Sequence, residues 1–163
     1  MLVASRHKSG GSTAHVQQAL RECGLRTVVR EMPATTRTAK EAAEAIGCGV
    51  GQIAKSLVFR GRESGRPLLV IVSGRNRVNE PALAALVGEP IERATPDFVR
   101  ETTGYAIGGI PPVALVRPMS VRMDRDLLVY EQIWAAAGKP FAVFCIPPRE
   151  LQRVSGAALV EVK

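Results

Sequence analysis

The chain has 163 residues, enough for one domain with a single sizeable core, and its 46% hydrophobic and 23% charged residues exclude a disordered or fibrous protein. A formal charge of +7 and a pI near 9.9 favour a polyanionic partner, nucleic acid before an anionic membrane surface, although the same excess also serves plain solubility. Aromatic residues, at 4%, are too few for a platform that stacks single-stranded bases. Cys23, Cys48 and Cys145 show no C-x-x-C spacing, and His7 and His15 both lie near the N-terminus, which argues against a zinc site or a disulfide framework and for a reducing cytoplasm. The first eight residues lack the apolar core of a signal peptide, and no run of about 18 apolar residues exists, so a soluble cytoplasmic protein is expected.

Residues 1–11, ending in Ser9-Gly-Gly11, read as a flexible arm ahead of one domain over 12–163. Val16, Ala19, Leu20 and Cys23 follow helical spacing up to Gly24, and residues 27–32 alternate as a strand before Pro33. Thr38 with Glu41 three residues later is a capping box opening a short helix that Gly47 closes. Residues 53–59 and 68–72 read as two strands of a hairpin across a Gly- and Pro-containing turn. Asn79 and Thr95 are N-caps of two further helices, with a brief strand over 91–94 between them.

Beyond Gly104, residues 114–116 and 120–123 are short strand candidates, and 127–137 reads as helical around Tyr130, Ile133 and Trp134. A strand over 140–146, a helix over 148–154 and a strand over 158–162 close the chain. Interspersed strands and helices with recurrent hairpin links predict a mixed sheet rather than a doubly wound one.

The most unusual stretch is Gly104-Tyr-Ala-Ile-Gly-Gly-Ile-Pro-Pro-Val113, which sets two adjacent glycines against two adjacent prolines. Pro111 and Pro112 carry no N–H, so Gly108, Gly109, Ile110 and Val113 supply the backbone donors there. Such a loop suits a phosphate or a developing oxyanion, or it is simply a buried turn between strands. Lys55 is a charge within an apolar strand. It either faces solvent or lines a polar pocket, where it would hold a phosphate or carboxylate as a point charge.

The spelling Gly49-Val-Gly-Gln-Ile-Ala-Lys55-Ser56 misses the phosphate-cradling G-x-x-x-x-G-K-[ST] motif, with Ala54 before the lysine and the wrong order of elements, which sets a nucleotide triphosphatase aside. Asp124 and Asp126 flank Arg125 as solvated turn residues or as site carboxylates. Cys48 is a reactive thiol or, more simply, inert packing. Arg60, Arg62, Arg66, Arg75 and Arg77 cluster around the hairpin as a phosphate-contacting face or as ordinary strand-end charges.

With those residues in place, the sequence resembles the YbaK/EbsC family, which is similar to the editing domain inserted in bacterial prolyl-tRNA synthetases. The resemblance rests on Ala39-Lys-Glu-Ala-Ala43 after a Thr-rich turn, Ile53-Ala-Lys-Ser-Leu-Val58, Ser73-Gly-Arg-Asn-Arg77, the loop from Gly104 to Val113, and Asp124 before Leu127-Leu-Val-Tyr130. It implies an α/β (α+β) fold in a single compact domain, with a mixed, mostly antiparallel, partly barrel-like sheet and surrounding helices. It implies hydrolysis of mischarged aminoacyl-tRNA without a cofactor or metal. The expected partners are the aminoacylated acceptor end of a tRNA and, as a further candidate, an aminoacyl-tRNA synthetase, with no membrane and no DNA.

By the same resemblance Lys55, Gly108 and Gly109 are the catalytic candidates, and Ile110, Pro112, Asp124, Ser73 and Thr36 the substrate-binding ones. The sequence departs from its relatives at Pro111, where several have serine, and at Ala114, where many have glycine. A non-catalytic binding module for aminoacyl-tRNA or a synthetase is the rival reading, and a small-molecule ester or thioester hydrolase a second.

Overall fold

A computed structural model describes residues 12–163, so the arm expected over 1–11 lies outside the described residues. The chain runs α1 (Thr13–Glu22), β1 (Arg30–Glu31), α2 (Ala39–Ile46), a 3-10 turn (Val50–Gln52), β2 (Ile53–Gly61), β3 (Pro67–Ser73), α3 (Glu80–Val87), β4 (Ile91–Arg93) and α4 (Pro96–Thr103). It continues through β5 (Ser120–Asp124), a second 3-10 turn (Arg125–Val129), β6 (Ile133–Ala136), β7 (Ala142–Ile146), α5 (Pro148–Ser155) and β8 (Ala158–Val160).

Among the described residues the strands form one mixed sheet in the order β1-β7-β6-β2-β3-β5-β8, with β4 joining the edge of β2. Pairings β1–β7, β6–β7, β2–β3 and β2–β4 are antiparallel, while β2–β6, β3–β5 and β5–β8 are parallel. A single α/β domain with a mixed sheet is therefore as expected.

Local chemistry explains most element ends. The Thr38 hydroxyl accepts from the Glu41 N–H and the Glu41 carboxylate accepts from the Thr38 N–H, the reciprocal capping box that starts α2. Asn79 and Thr95 accept from the N–H groups of Ala82 and Phe98 and start α3 and α4. The β2–β3 hairpin pairs from Ala54 opposite Ser73 to Arg60 opposite Pro67.

Strand alternation then divides the core. Ala54 and Val58 face the main cluster with Leu69, Ile71, Met123 and Phe144, whereas Phe59 packs with Leu68, Val70 and Val72 on the other face. On that second face Ile53 belongs to a small cluster with Ala42 and Ala43 of α2, and Lys55 lies between the two apolar groups.

Three expected elements differ. The strand expected over 27–32 shrinks to Arg30–Glu31, because the Gln17 side chain accepts from Val29 N–H and donates to Thr27 C=O, replacing a ladder partner. Residues 127–137 are not helical. They form the 3-10 turn and β6, where Ile133 and Ala135 enter the core and Trp134 and Ala136 face the other way, a period of two. Residues 114–116 form no strand. Val116 N–H donates to Thr103 C=O, and Ala114 takes a positive φ of 62°.

One buried carboxylate ties the sheet together. Asp124, at the end of β5, is 1% exposed and accepts from Ser73 N–H (3.0 Å), the Asn76 side-chain amide (2.8 Å) and Asp126 N–H (2.9 Å). It is not the solvated turn residue that its sequence neighbourhood allows. Replacing Asp124 with alanine leaves buried donors unpaired and is expected to cost roughly 3 kcal/mol, read as a shift in the urea midpoint with an unchanged slope.

Candidate active site

The sheet contains an opening, and the candidate site is built around it. β6 pairs with β2 only at Ile53 and Ala54, while β4 pairs with it from Phe59 onward, after Ala94 N–H donates to Val58 C=O. Residues 55–57 of β2 thus have a strand partner on the β3 side only. Because main-chain groups alternate in direction, Ser56 N–H and C=O point the same way as Val58 C=O, into the gap.

A cavity of about 400 Å³ occupies this gap. Ile53 to Leu57 line one side and Trp134, Ala135, Ala136 and Val143 the opposite side. Residues 36–39 with Ala42 of α2 and the loop residues Ile107, Gly108 and Ile110 complete it. Its size is that of a small-ligand site.

Lys55 therefore lines a pocket rather than pointing to open solvent, which decides between its two readings. Burial pushes its pKa below the usual lysine value, and Arg93 and then Arg77 push the same way, while Asp124 opposes them. No carboxylate pairs with Lys55 among the described residues. A half-buried ammonium among other cations is chemically suited to receive an anion or a polarised oxygen.

The glycine–proline loop supplies backbone donors. Gly108 has φ of 97°, and a Cβ there would come within 2.6 Å of the Arg37 side chain, which lies across it. Gly109 donates its N–H to Ala106 C=O (3.1 Å) and accepts from Gly138 N–H (2.9 Å). A Cβ on Gly109 would meet the Lys139 backbone at 2.9 Å, so glycine is needed there for packing. Gly109 N–H is thus committed within the fold, whereas Gly108 and Ile110 N–H have no partner among the described residues. Both residues line the cavity, so these are uncommitted donors in its wall.

Thr36 also lines the cavity, but its hydroxyl and N–H both donate to Pro140 C=O, fixing the rim to the β6–β7 turn. Ser73 and Asp124 sit outside the wall. Ser73 Oγ donates to Gly51 C=O (2.8 Å), and its N–H to Asp124. Pro112 borders a separate, open groove of about 350 Å³ with Ala114 and Val116. Of the eight residues singled out, four line the cavity: Lys55, Gly108, Ile110 and Thr36.

Sequence reading passed over Ser56, Arg37 and Trp134. Arg37 is exposed at the rim, and Arg30 stacks on Trp134 at 4.7 Å. The hairpin arginines divide: Arg62 pairs with Glu92 and Arg60 covers Phe98, leaving Arg77 near Lys55. Burial, and then Cys145 nearby, raises the Cys48 thiol pKa, which favours inert packing over a reactive thiolate. No cluster of histidine, cysteine or acidic side chains suited to a metal ion occurs among the described residues.

Residues 33–154 match the aminoacyl-tRNA editing domain family. The chain belongs to that family. A solved structure described as a proposed trans-editing enzyme for prolyl tRNA synthetase superposes with a TM-score of 0.87 and 49% identity, covering 93% of this chain and 96% of that one. YwhH of Bacillus subtilis, an uncharacterized protein, is 31% identical over 127 residues, 78% of this chain and 80% of its own length. EbsC of Enterococcus faecalis, named as a proposed Cys-tRNA(Pro)/Cys-tRNA(Cys) deacylase, is 25% identical over 126 residues, 77% of this chain and 76% of its own. No helix of the described residues is long and apolar enough to cross a membrane.

Two consequences are measurable. Ala114 holds a left-handed conformation in this editing domain, anchored where the Tyr105 hydroxyl donates to its C=O (2.9 Å), a phenol whose pKa burial pushes up to about 12. Relief of that strain in Ala114→Gly outweighs the added freedom of the unfolded chain, and a net gain of roughly 0.5–1 kcal/mol is expected in chemical denaturation. Lys55 carries the opposite kind of cost. Its lowered pKa means that the folded state disfavours the charged form, a penalty present in full below the folded pKa and gone above the unfolded value of 10.5. Lys55→Met should therefore raise Tm at pH 7, and its advantage over wild type should shrink as the pH passes 10.

Proposed function

We propose that this protein is an aminoacyl-tRNA deacylase that acts in trans on mischarged tRNA. The observation that carries this reading is the convergence of Lys55 with the unpaired N–H groups of Gly108 and Ile110 on one small cavity. The family match and the relatives matched over most of their length support it.

The substrate is an ester between an amino acid and a ribose hydroxyl of the terminal nucleotide. Water adds to the carbonyl carbon, and the carbonyl oxygen takes the developing charge. Gly108 and Ile110 N–H donate to that oxygen, preorganised by a loop whose prolines hold its backbone. Lys55 anchors the terminal phosphate or polarises the ester, and Arg37 and Arg77 extend the positive field toward the backbone of the nucleic acid. The ester C–O bond then breaks, and the free amino acid and the ribose hydroxyl leave. The proton of the attacking water is relayed through the neighbouring ribose hydroxyl, which accepts it and passes its own proton to the departing ester oxygen. An activated ester needs positioning and charge stabilisation more than a strong base, which suits a site with no histidine in its wall.

The alanines in the wall and the cavity's small volume favour a small amino acid, among alanine, cysteine, serine and threonine, on tRNA-Pro or a related tRNA. The setting is the cytoplasm, where translation occurs.

Folded Lys55→Ala should lose at least about tenfold in deacylation of the favoured mischarged tRNA, measured against spontaneous hydrolysis. An unchanged rate would remove Lys55 from the mechanism. Tight tRNA binding without faster ester loss in the wild type would favour a binding module instead.

A further inference from the structure

The gap beside β2 spans a single bonding residue. Ala54 is committed to β6 through its pairing with Ala135, and Val58 C=O accepts from Ala94 N–H. Ser56 lies between them. The odd-numbered residues of β2 turn their main-chain groups toward β3, as the bond from Gly74 N–H to Ile53 C=O shows, so those of Ser56 face the opposite way. Neither Ser56 N–H nor Ser56 C=O has a partner among the described residues. A free donor and acceptor on a strand otherwise bonded at both edges call for a ligand or solvent. The cavity occupies the space they face, with Ser56 in one wall and Ala135 and Ala136 in the wall opposite.

We infer that the Ser56 main chain binds the aminoacyl group as a one-residue added strand, its C=O accepting from the α-amino group and its N–H donating to the ester carbonyl oxygen. The inference rests on the deacylase reading and assigns the subsite for the part that all amino acids share. Two residues directly opposite in an antiparallel ladder exchange both N–H···O bonds, and an aminoacyl group carries the same N–Cα–C=O frame as a strand residue. β6 at one end and β4 at the other close this edge to a longer peptide. Lys55 projects to one face of the strand and disfavours a second charge, yet a neutral α-amino group still has hydrogens to donate. The carbonyl oxygen gains a lone pair as it becomes an oxyanion, so it can accept from Ser56, Gly108 and Ile110 together. The side chain of an L-aminoacyl group paired in this way leaves on the core face of β2, toward Ala54 and Ile110, a crowded side that suits a small group.

The probe is a tRNA ending in 3′-amino-3′-deoxyadenosine that carries alanine through an amide, a bond far more resistant to hydrolysis than the ester. Amide hydrogen exchange in the free protein, followed by NMR, should be fast at Ser56 and slow at Lys55 and Leu57, whose N–H groups are turned to β3. Saturating probe should slow exchange at Ser56 by about tenfold or more, and the same tRNA without alanine should not. In turnover, alanyl and propionyl esters of one tRNA differ only in the α-amino group, and kcat/KM is taken relative to the spontaneous hydrolysis of each. The propionyl ester should be about tenfold or more poorer on that scale. Exchanging the Ser56 amide for a backbone ester, which replaces its N–H by oxygen and removes no donor to β3, should lower kcat/KM for the alanyl ester by a similar factor.

Slow exchange at Ser56 in the free protein gives it a partner within the fold and overturns the inference. Probe binding that leaves the Ser56 amide unchanged overturns it too, as does a propionyl ester hydrolysed as efficiently as the alanyl one or a backbone-ester variant as active as wild type. With the alanyl ester hydrolysed, each of these results leaves the deacylase reading standing. Hydrolysis of neither ester overturns that reading and this inference together.

Discussion

A strand in the middle of a sheet ordinarily has both edges filled, and the cavity in this protein exists because one strand does not. β3 pairs along β2 from Ala54 to Arg60, but the other edge is shared between β6 at one end and β4 at the other. β6 cannot continue alongside β2, because at Gly138 the chain turns back toward β7 and gives its N–H to Gly109 in the glycine–proline loop. β4 arrives only after Ala94 has bonded to Val58. The interval leaves backbone polar groups without a ladder partner, a costly arrangement in a closed core and a useful one in a cavity wall. Lys55 and Ser56 sit in that interval and project to opposite faces of the same strand.

The electrostatics follow from the same placement. Lys55 is held by covalent position between two apolar clusters, and the nearby charges that act on it are mostly cationic. Asp124 is the opposing charge, yet its oxygens are already engaged by Ser73, Asn76 and Asp126. It offsets part of the repulsion without neutralising the lysine. A direct ion pair would have made the strand more comfortable and occupied the lysine. The observed compromise keeps a cation available at some expense in stability, a common pattern where binding groups are held ready for a ligand.

Local rules written in a few adjacent residues were legible in the sequence. The Thr38–Glu41 capping box, the Asn79 and Thr95 caps and the β2–β3 hairpin all depend on short-range geometry, and each is where it was expected. Lys55 stood out because an ammonium in an apolar strand needs a reason. β6 was misread because Tyr130, Ile133 and Trp134 have helical spacing, and the alternation that decides between strand and helix covers only four residues. The strand over 27–32 was overcalled because a side chain twelve residues away, Gln17, takes the backbone bonds. Ser56 and Arg37 were invisible for a different reason. A serine beside a lysine, or an arginine between threonines, acquires meaning only when β6 parts from β2 or when the loop folds beneath it.

The loop shows how the two levels meet. Its prolines predicted few donors, and that holds, but counting N–H groups did not reveal which were already committed. Gly109 binds the loop to itself and to the β6–β7 turn, leaving Gly108 and Ile110 on either side of it. Two donors spaced by one anchored residue point from a backbone that tertiary bonds hold in place, which is what stabilising a brief negative charge demands, since donors that must reorganise lose much of their effect. The polar side chains of the cavity wall are two cations and a few hydroxyls, set among alanines and larger apolar residues, without a carboxylate or imidazole. On the deacylase reading, such a wall can lower the energy of the oxyanion but cannot itself take a proton from water with a strong base. The substrate's own hydroxyl must then serve as the relay, which ties the chemistry to a ribose ester and makes a simple ester without a neighbouring hydroxyl a poor substrate for this geometry.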